Sequence, residues 1–306
     1  MEIVRDLAPG LSSRPAALTM GKFDGVHLGH RRLIETAVER ARALSIACAV
    51  LTWEPHPNAV IRPGQPLQLL TSLEEKIELI ASLGPDLLII APFTAQTMAT
   101  SAEAYMREIV AAVPLRELWV GEGFAMGKGR AGDVPALRAI GAELGFTVGT
   151  VGQVAVGGQP VSASRVRELL RAGDVAGAVE LLGRPFGLRG VVVEGDKRGR
   201  TIGFPTANLQ IGEAHVLPAD GVYACRVVLD GERLPAVTNV GVRPTFEGAR
   251  RTVEAHLLDW EGDLYGRSIV VEFLHRLRGE QKFAGIEALV AQIRRDADRA
   301  RELLSS

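Results

Sequence analysis

The pattern of apolar residues changes near residue 185, and no single repeating architecture accommodates both halves of the chain. Upstream of that point, apolar runs at Ala16–Met20, Ile46–Trp53, Leu87–Ala91, Leu118–Gly121 and Phe146–Val151 alternate with segments of helical spacing, such as Leu33, Ala37, Val38, Ala41 and Leu44. The runs lack polar alternation, as parallel strands buried on both faces do. Repeated strand, helix, strand units predict a doubly wound α/β domain with helices on both faces of a parallel sheet, binding ligands beyond the carboxyl ends of its strands. Two further helices, at 162–171 and 174–182, are expected to close this half. Downstream, strand follows strand at Leu188–Val193, Tyr223–Leu229, Leu234–Val240, Thr252–Leu258 and Ser268–Phe273, broken by Gly, Pro and Asp. That texture predicts an antiparallel barrel or sandwich, and a small antiparallel β-barrel is the form expected here. Ile286, Leu289, Val290, Ile293, Ala297 and Leu303 then recur at helical spacing, so one terminal helix is expected to lie on it. The expected domains are 1–185 and 186–306.

Composition narrows the classes of function. Thirty-five Lys plus Arg against 36 Asp plus Glu leave a net charge of −1, with no electrostatic footprint for nucleic acid or an anionic membrane. The first residues carry no apolar leader, and no apolar run approaches the ~20 residues of a membrane span. Cys48 and Cys225 are the only cysteines, each within an apolar run, which excludes a disulfide framework and fits a reducing cytoplasm. Both are expected to be inert core residues.

The first chemical motif is Gly21-Lys22-Phe23-Asp24-Gly25-Val26-His27-Leu28-Gly29-His30, at the junction of the first strand and the helix after it. Glycines there let backbone approach a ligand, and a helix N-terminus offers free N–H groups to phosphate. His27 and His30 can donate hydrogen bonds to phosphate oxygens and stabilise charge that builds at an attacked phosphorus. The alternative use of the two rings is to cap and pack the helix.

This decapeptide resembles the G-x-F-D-G-x-H-x-G-H signature of bacterial bifunctional riboflavin kinase/FMN adenylyltransferases, also called FAD synthetases. Trp53-Glu54-Pro55-His56-Pro57 is similar to the family's F-x-P-H-P turn, and the stretch from Thr71 to Thr94 continues the match. Val120 to Gly127 is similar to V-G-x-[DN]-F-x-F-G, Val161 to Arg167 to I-S-S-[ST]-x-[IV]-R, and Leu181 to Pro185 to the end of the family's first module. The resemblance implies a Rossmann-like nucleotidyltransferase domain that transfers AMP from ATP to FMN, giving FAD and pyrophosphate. It further implies that His27 and His30 hold the ATP phosphates, that Ser164 and Arg167 contact the same phosphates, and that Gly21, Phe23, Asp24 and Gly121 shape the pocket. Three positions depart from the pattern: Gly123 replaces Asp or Asn, Met126 replaces Phe, and Ala163 replaces Ser. Buried hydrogen bonds and aromatic contacts contribute on the order of 1 kcal/mol each, so these departures are expected to weaken ligand binding in this half.

The second motif runs from Gly195 to Asn208 and joins three glycines and the cations Lys197, Arg198 and Arg200 to Phe204-Pro205-Thr206-Ala207-Asn208. A basic glycine-bearing loop can fold over polyphosphate, and in an extended segment Thr206 and Asn208 share one side. Two hard oxygen donors, completed by phosphates and water, suit Mg²⁺. A surface hairpin would account for the glycines and charges alone. No G-x-x-x-x-G-K-[ST] run is present, which excludes a P-loop kinase.

The stretch Gly199-Arg200-Thr201-Ile202-Gly203-Phe204-Pro205-Thr206-Ala207-Asn208 resembles the G-R-x-x-G-F-P-T-A-N hallmark of riboflavin kinases. Pro218 to Ala224, Asn239-Val240-Gly241, Pro244-Thr245-Phe246, Val253-Glu254-Ala255-His256, Asp259 and Leu264-Tyr265-Gly266 continue it. By that resemblance Lys197, Arg200 and Gly203 belong to the nucleotide loop, Thr206 and Asn208 hold Mg²⁺ and ATP, and Glu254 takes the riboflavin 5′-hydroxyl proton as it attacks the γ-phosphoryl group. The implied ligands are riboflavin, FMN, FAD, ATP, ADP and pyrophosphate. Two readings follow: an enzyme with both activities, and a riboflavin kinase whose first half is a weak or inactive adenylyltransferase serving as a flavin- or nucleotide-binding module.

Overall fold

The protein is described from a computed structural model over residues 1–195, 199, 202–245 and 248–305. It divides into two compact units, Met1–Ser162 and Ala163–Ser306. The first contains strands β1 (Glu2–Val4), β2 (Ala16–Met20), β3 (Ala47–Glu54), β4 (Leu87–Pro92) and β5 (Leu115–Gly121). Two-residue strands β6 (Ala125–Met126) and β7 (Gly132–Asp133) pair with each other before β8 (Thr147–Val151), and β9 (Ala155–Val156) pairs with β10 (Gln159–Pro160). The main sheet has the order β1-β4-β3-β2-β5-β8 with every pair parallel. Its helices are α1 (Leu28–Ala43), α2 (Pro57–Ile61), α3 (Leu73–Ala81), α4 (Ala95–Ala99), α5 (Ala102–Ala112) and α6 (Val134–Leu144).

The unbroken apolar runs have a direct cause. Leu18, Met20, Leu51 and Ile89 pack on one face with Met106 and Ile109 of α5 and Leu137 of α6. Ala17, Cys48, Val50 and Leu88 pack on the other with Ile34, Ala37 and Val38 of α1 and Ile80 of α3. Both faces are covered, so the central strands stay apolar apart from the buried Thr19 and Thr52. The sequence reading lacked β1, a three-residue edge strand, and began β5 late because Arg116 and Glu117 interrupt its apolar pattern.

The second unit opens with α7 (Ala163–Ala172) and α8 (Val175–Leu182). Six strands follow: β11 (Phe186–Val193), β12 (Ala207–Gln210), β13 (Gly221–Leu229), β14 (Glu232–Thr245), β15 (Gly248–Leu257) and β16 (Ser268–Arg278). They close into an antiparallel barrel in the order β11-β12-β15-β14-β13-β16, which decides between barrel and sandwich. The terminal helix α9 (Ile286–Leu304) lies on the barrel through Ala297 and Ala300, against Val222, Ala224, Val237 and Leu258. Arg278 and Asp296 fasten it by an ion pair of 2.9 Å. Helices α7 and α8 were expected to close the first half, but in compactness they go with the barrel: α8 packs on β11 and β16, and the Leu170 carbonyl accepts from Ala219 N at 2.8 Å. Both cysteines are buried, and burial pushes each thiol up to about 12. Among the described residues no helix is long and apolar enough to cross a membrane.

Candidate active sites

The first motif occupies the carboxyl end of β2, where a doubly wound sheet places its ligands. The chain leaves Met20, passes through a 3₁₀ turn at Asp24–Val26 and enters α1 at His27. Phe23, Gly25 and Val26 all have positive φ, of 48°, 75° and 36°, so the turn is strained at two side-chain-bearing residues. A Cβ on Gly25 would also lie 2.7 Å from Leu70. Asp24 holds the turn in place: its Oδ1 accepts from Leu70 N at 2.9 Å and Thr71 N at 3.3 Å, and Gly25 N donates to Thr71 Oγ1 at 3.1 Å.

This turn sets the two histidines. His27 is the N-cap of α1, its Nδ1 accepting from His30 N at 3.4 Å. The two rings stack with centroids 3.6 Å apart and 19° between planes, and Phe23 meets His30 edge-on at 5.3 Å. His30 Nδ1 is buried without a hydrogen-bond partner. A lone pair is cheaper to leave unpartnered there than an N–H, so its proton is assigned to Nε2. His27 has its proton on Nε2 for a different reason, since its Nδ1 is the acceptor in the cap. Burial, then the proximity of His27 and of Lys76, holds the His30 pKa well below 6.5 and keeps the ring neutral. Capping and ligand binding are therefore compatible uses of the pair.

Both rings line a cavity of about 820 Å³, together with Gly21, Phe23, Trp53, Tyr105 and Gly121. Trp53 Nε1 donates to Tyr105 Oη at 2.8 Å, and burial pushes the Tyr105 hydroxyl up to about 12. Asp24 does not line the cavity; it lies behind it as the tie just described. Gly121 and Gly123 are both in the wall, and a Cβ on either would meet nothing within 4 Å, so packing does not require glycine there. Met126 fills a buried part of the wall. Ser164 and Arg167 stand on the first turns of α7, in the second unit. Tyr105 carries no signal in the sequence, because its helical spacing is that of an ordinary core residue, whereas Lys76 belongs to the Thr71–Thr94 stretch of the family match. Lys76 is 4% exposed, and burial lowers its ammonium pKa against the opposing pull of Glu54 and Asp24.

The second site is set by register on the barrel. Asn208 of β12 pairs with Glu254 of β15, which pairs on its other side with Asn239 of β14. Paired residues share a face, so the three polar side chains form one row across three strands. Ala207, Val253 and Ala255 alternate with them and are buried in the barrel. Thr206 precedes Asn208 by two residues. A Cβ on Gly195 would overlap the Asn208 amide, and one on Gly199 would overlap the Phe204 carbonyl, so these two glycines lie against Asn208 and Phe204. Gly203 has φ of 86°, which glycine alone adopts freely. Lys197 and Arg200 lie outside the described residues. Thr252 Oγ1 and Glu254 Oε1 are 3.5 Å apart. A second cavity, of about 310 Å³, is lined by Val192, Thr206, Leu257, Trp260 and Tyr265; it reaches Thr206 but not Asn208 or Glu254.

The donors at Thr206 and Asn208 are neutral hard oxygens against glycine backbone, which fits Mg²⁺ completed by phosphate oxygens and water. Among the described residues no group of three or more His, Cys, Asp or Glu could hold a metal.

Residues 11–165 match the family model described as FAD synthetase, and residues 182–304 match that of riboflavin kinase. A curated relative from Escherichia coli (strain K12), named bifunctional riboflavin kinase/FMN adenylyltransferase, is 40% identical over 307 residues, covering 99% of this chain and 97% of its own. A relative of the same name from Bacillus subtilis (strain 168) is 36% identical over 290 residues, covering 93% and 91%. A solved Streptococcus pneumoniae structure described as a macrolide-efflux protein superposes with a TM-score of 0.90 at 28% identity, over 98% of each chain.

Proposed function

Because the chain belongs to the bifunctional riboflavin kinase/FMN adenylyltransferase family, we propose that it makes FMN and then FAD, with the kinase reaction in residues 186–306 and adenylyl transfer in residues 1–185. ATP is the co-substrate of both steps. The observation that carries the reading is the register that sets Asn208 opposite Glu254 within two residues of Thr206.

In the kinase step Glu254 takes the proton from the riboflavin 5′-hydroxyl while that oxygen attacks the γ-phosphorus and ADP leaves. Thr206 and Asn208 would hold Mg²⁺, which neutralises phosphate charge when bound. Phosphoryl transfer is mainly positioning and charge neutralisation, so a base beside such a donor pair suffices. In the adenylyl step an FMN phosphate oxygen attacks the α-phosphorus of ATP and pyrophosphate leaves. His27 and His30 donate their two stacked Nε2–H groups to phosphate oxygens as charge builds there. Phe23, Gly21 and Gly121 shape that pocket, and Asp24 supports it from behind. Ser164 and Arg167 are assigned to the ATP phosphates on the sequence pattern alone, as are Lys197, Arg200 and Gly203 to the nucleotide loop of the kinase.

The second reading, a first unit that binds flavin or nucleotide with little transfer, draws on Gly123, which leaves open space where the family pattern has Asp or Asn. One experiment tests both. Purified protein is incubated with riboflavin, ATP and MgCl₂, and FMN and FAD are separated by chromatography. Both products are expected, and omission of MgCl₂ is expected to stop FMN formation. Absence of FMN overturns the kinase assignment; FMN without FAD at any FMN concentration selects the second reading.

A further inference from the structure

Along β15 the side chains alternate: Val253, Ala255 and Leu257 are buried in the barrel, while Glu254 and His256 stand half-buried on its outer face. Glu254 has polar neighbours on both sides, Asn208 and Asn239. His256 stands one pleat further on, with Val237 of β14 opposite it. On its β12 side the paired register ends one residue earlier, at Ala207 opposite Ala255, and Pro205 has no N–H with which to extend the ladder further. The His256 ring fills that place. Its Nδ1 lies 2.7 Å from the Pro205 carbonyl oxygen, and a carbonyl can only accept, so Nδ1 carries the proton. The ring also meets Phe204 edge-on, with centroids 5.5 Å apart and 78° between planes.

The same short segment is held from the other direction. The Gly199 carbonyl accepts from Phe204 N at 2.8 Å and from Ile202 N at 3.2 Å. Phe204 and Pro205 are thus fixed between a glycine turn and one histidine, immediately before the two oxygen donors of the kinase site.

We propose that His256 is a positioning residue for the kinase reaction: by donating Nδ1–H to Pro205 and packing on Phe204, it replaces the missing strand pairing and sets the angle at which Thr206 and Asn208 face the nucleotide beside Glu254. It acts through Pro205 and Thr206, not on the reacting atoms. The assignment rests on the kinase reading above.

The test compares His256→Phe, which keeps an aromatic ring and deletes the donor, with His256→Asn, whose amide N–H can replace Nδ1–H. MgADP is titrated calorimetrically into full-length protein carrying His27→Ala and His30→Ala, so that the heat reports on the second unit. Kinase kinetics and thermal unfolding are measured alongside. Loss of one hydrogen bond that orders a binding segment predicts a MgADP Kd raised about five- to tenfold in His256→Phe, with KM for ATP rising in parallel. The unfolding midpoint is expected to fall by less than roughly 4 °C. His256→Asn is expected to return within about twofold of wild type, because the donor is restored. The proposal is overturned by a His256→Phe protein with unchanged Kd and KM, by a His256→Asn protein as weak as His256→Phe, or by a loss of kcat at constant Kd and KM. Wild-type protein that binds MgADP but makes no FMN overturns the kinase reading instead, while the titration still decides what His256 does.

Discussion

Two histidines with the same side chain reach the same tautomer by different routes: His27 spends its Nδ1 lone pair as a helix cap, and His30 loses solvent around its own. The neutral state of His30 has a cost that pH exposes. Its pKa is ordinary in the unfolded chain and lowered in the folded one, so the unfolded chain takes the proton first as pH falls. Stability from this group is complete above about pH 6.5 and declines below it, toward the lowered folded value. The unfolding midpoint of the first unit is therefore expected to drop between about pH 7.5 and 5.5, and His30→Asn to drop less. Circular dichroism melts at the two pH values check this, and equal drops would remove His30 as the source. At the other site, Glu254→Gln is expected to lower FMN turnover by roughly 10²–10⁴-fold while riboflavin and ATP still bind, the usual weight of a positioned general base. Steady-state rates on folded variant protein decide it, and a loss under about tenfold would take Glu254 out of the mechanism.

Among the elements, α7 and α8 are the pair whose allegiance depends on packing. Val166, Leu170, Val175, Leu181 and Leu182 are essentially fully buried, and each such side chain contributes about 1.5–3 kcal/mol when withdrawn from water. A fragment of residues 163–306 is expected to melt at least several degrees above one of residues 186–306, because only the longer keeps α8 on β11 and β16. Differential scanning calorimetry of the two fragments checks it; equal midpoints would mean that these helices add nothing to the barrel. Helical spacing made both helices legible in the sequence, yet amphipathicity names a buried face without naming its partner. The same limit applies elsewhere. Chain order revealed the change from parallel to antiparallel strands, and the motifs located His27, His30, Thr206, Asn208 and Glu254. The barrel was expected, but strand pattern alone does not tell it from a sandwich, because the pairing of β11 with β16 that closes it joins residues far apart in sequence. Nor was the role of Asp24, whose partners Leu70 and Thr71 lie beyond a strand and two helices. Tyr105 has the spacing of a core residue, and its bond to Trp53 and its place in the cavity wall distinguish it only in the structure.

For the whole molecule, the His27–His30 pair lies on the first unit and Thr206, Asn208 and Glu254 lie on the second, and their losses are expected to separate. Thr206→Ala or Asn208→Ala is expected to impair riboflavin-to-FMN conversion, and His27→Ala or His30→Ala to slow FMN-to-FAD conversion by about 10²–10³-fold, the usual weight of one lost charge-stabilising donor. Supplying FMN directly and measuring FAD by chromatography distinguishes them; a His30→Ala protein that makes FAD at the wild-type rate would make the first unit a binding module. The closed order of the barrel also bears on how the protein is made. The strand that opens it, β11, pairs with β12 and with β16, the last of the six to be synthesised. While a ribosome is still producing β13 to β15, β11 has an unpaired edge, and Glu254 does not yet exist when the Thr206 segment emerges. Such long-range closure is slow and leaves an edge open to wrong partners. A stalled or truncated transcript of this chain would therefore yield a product prone to aggregate rather than a partly active kinase.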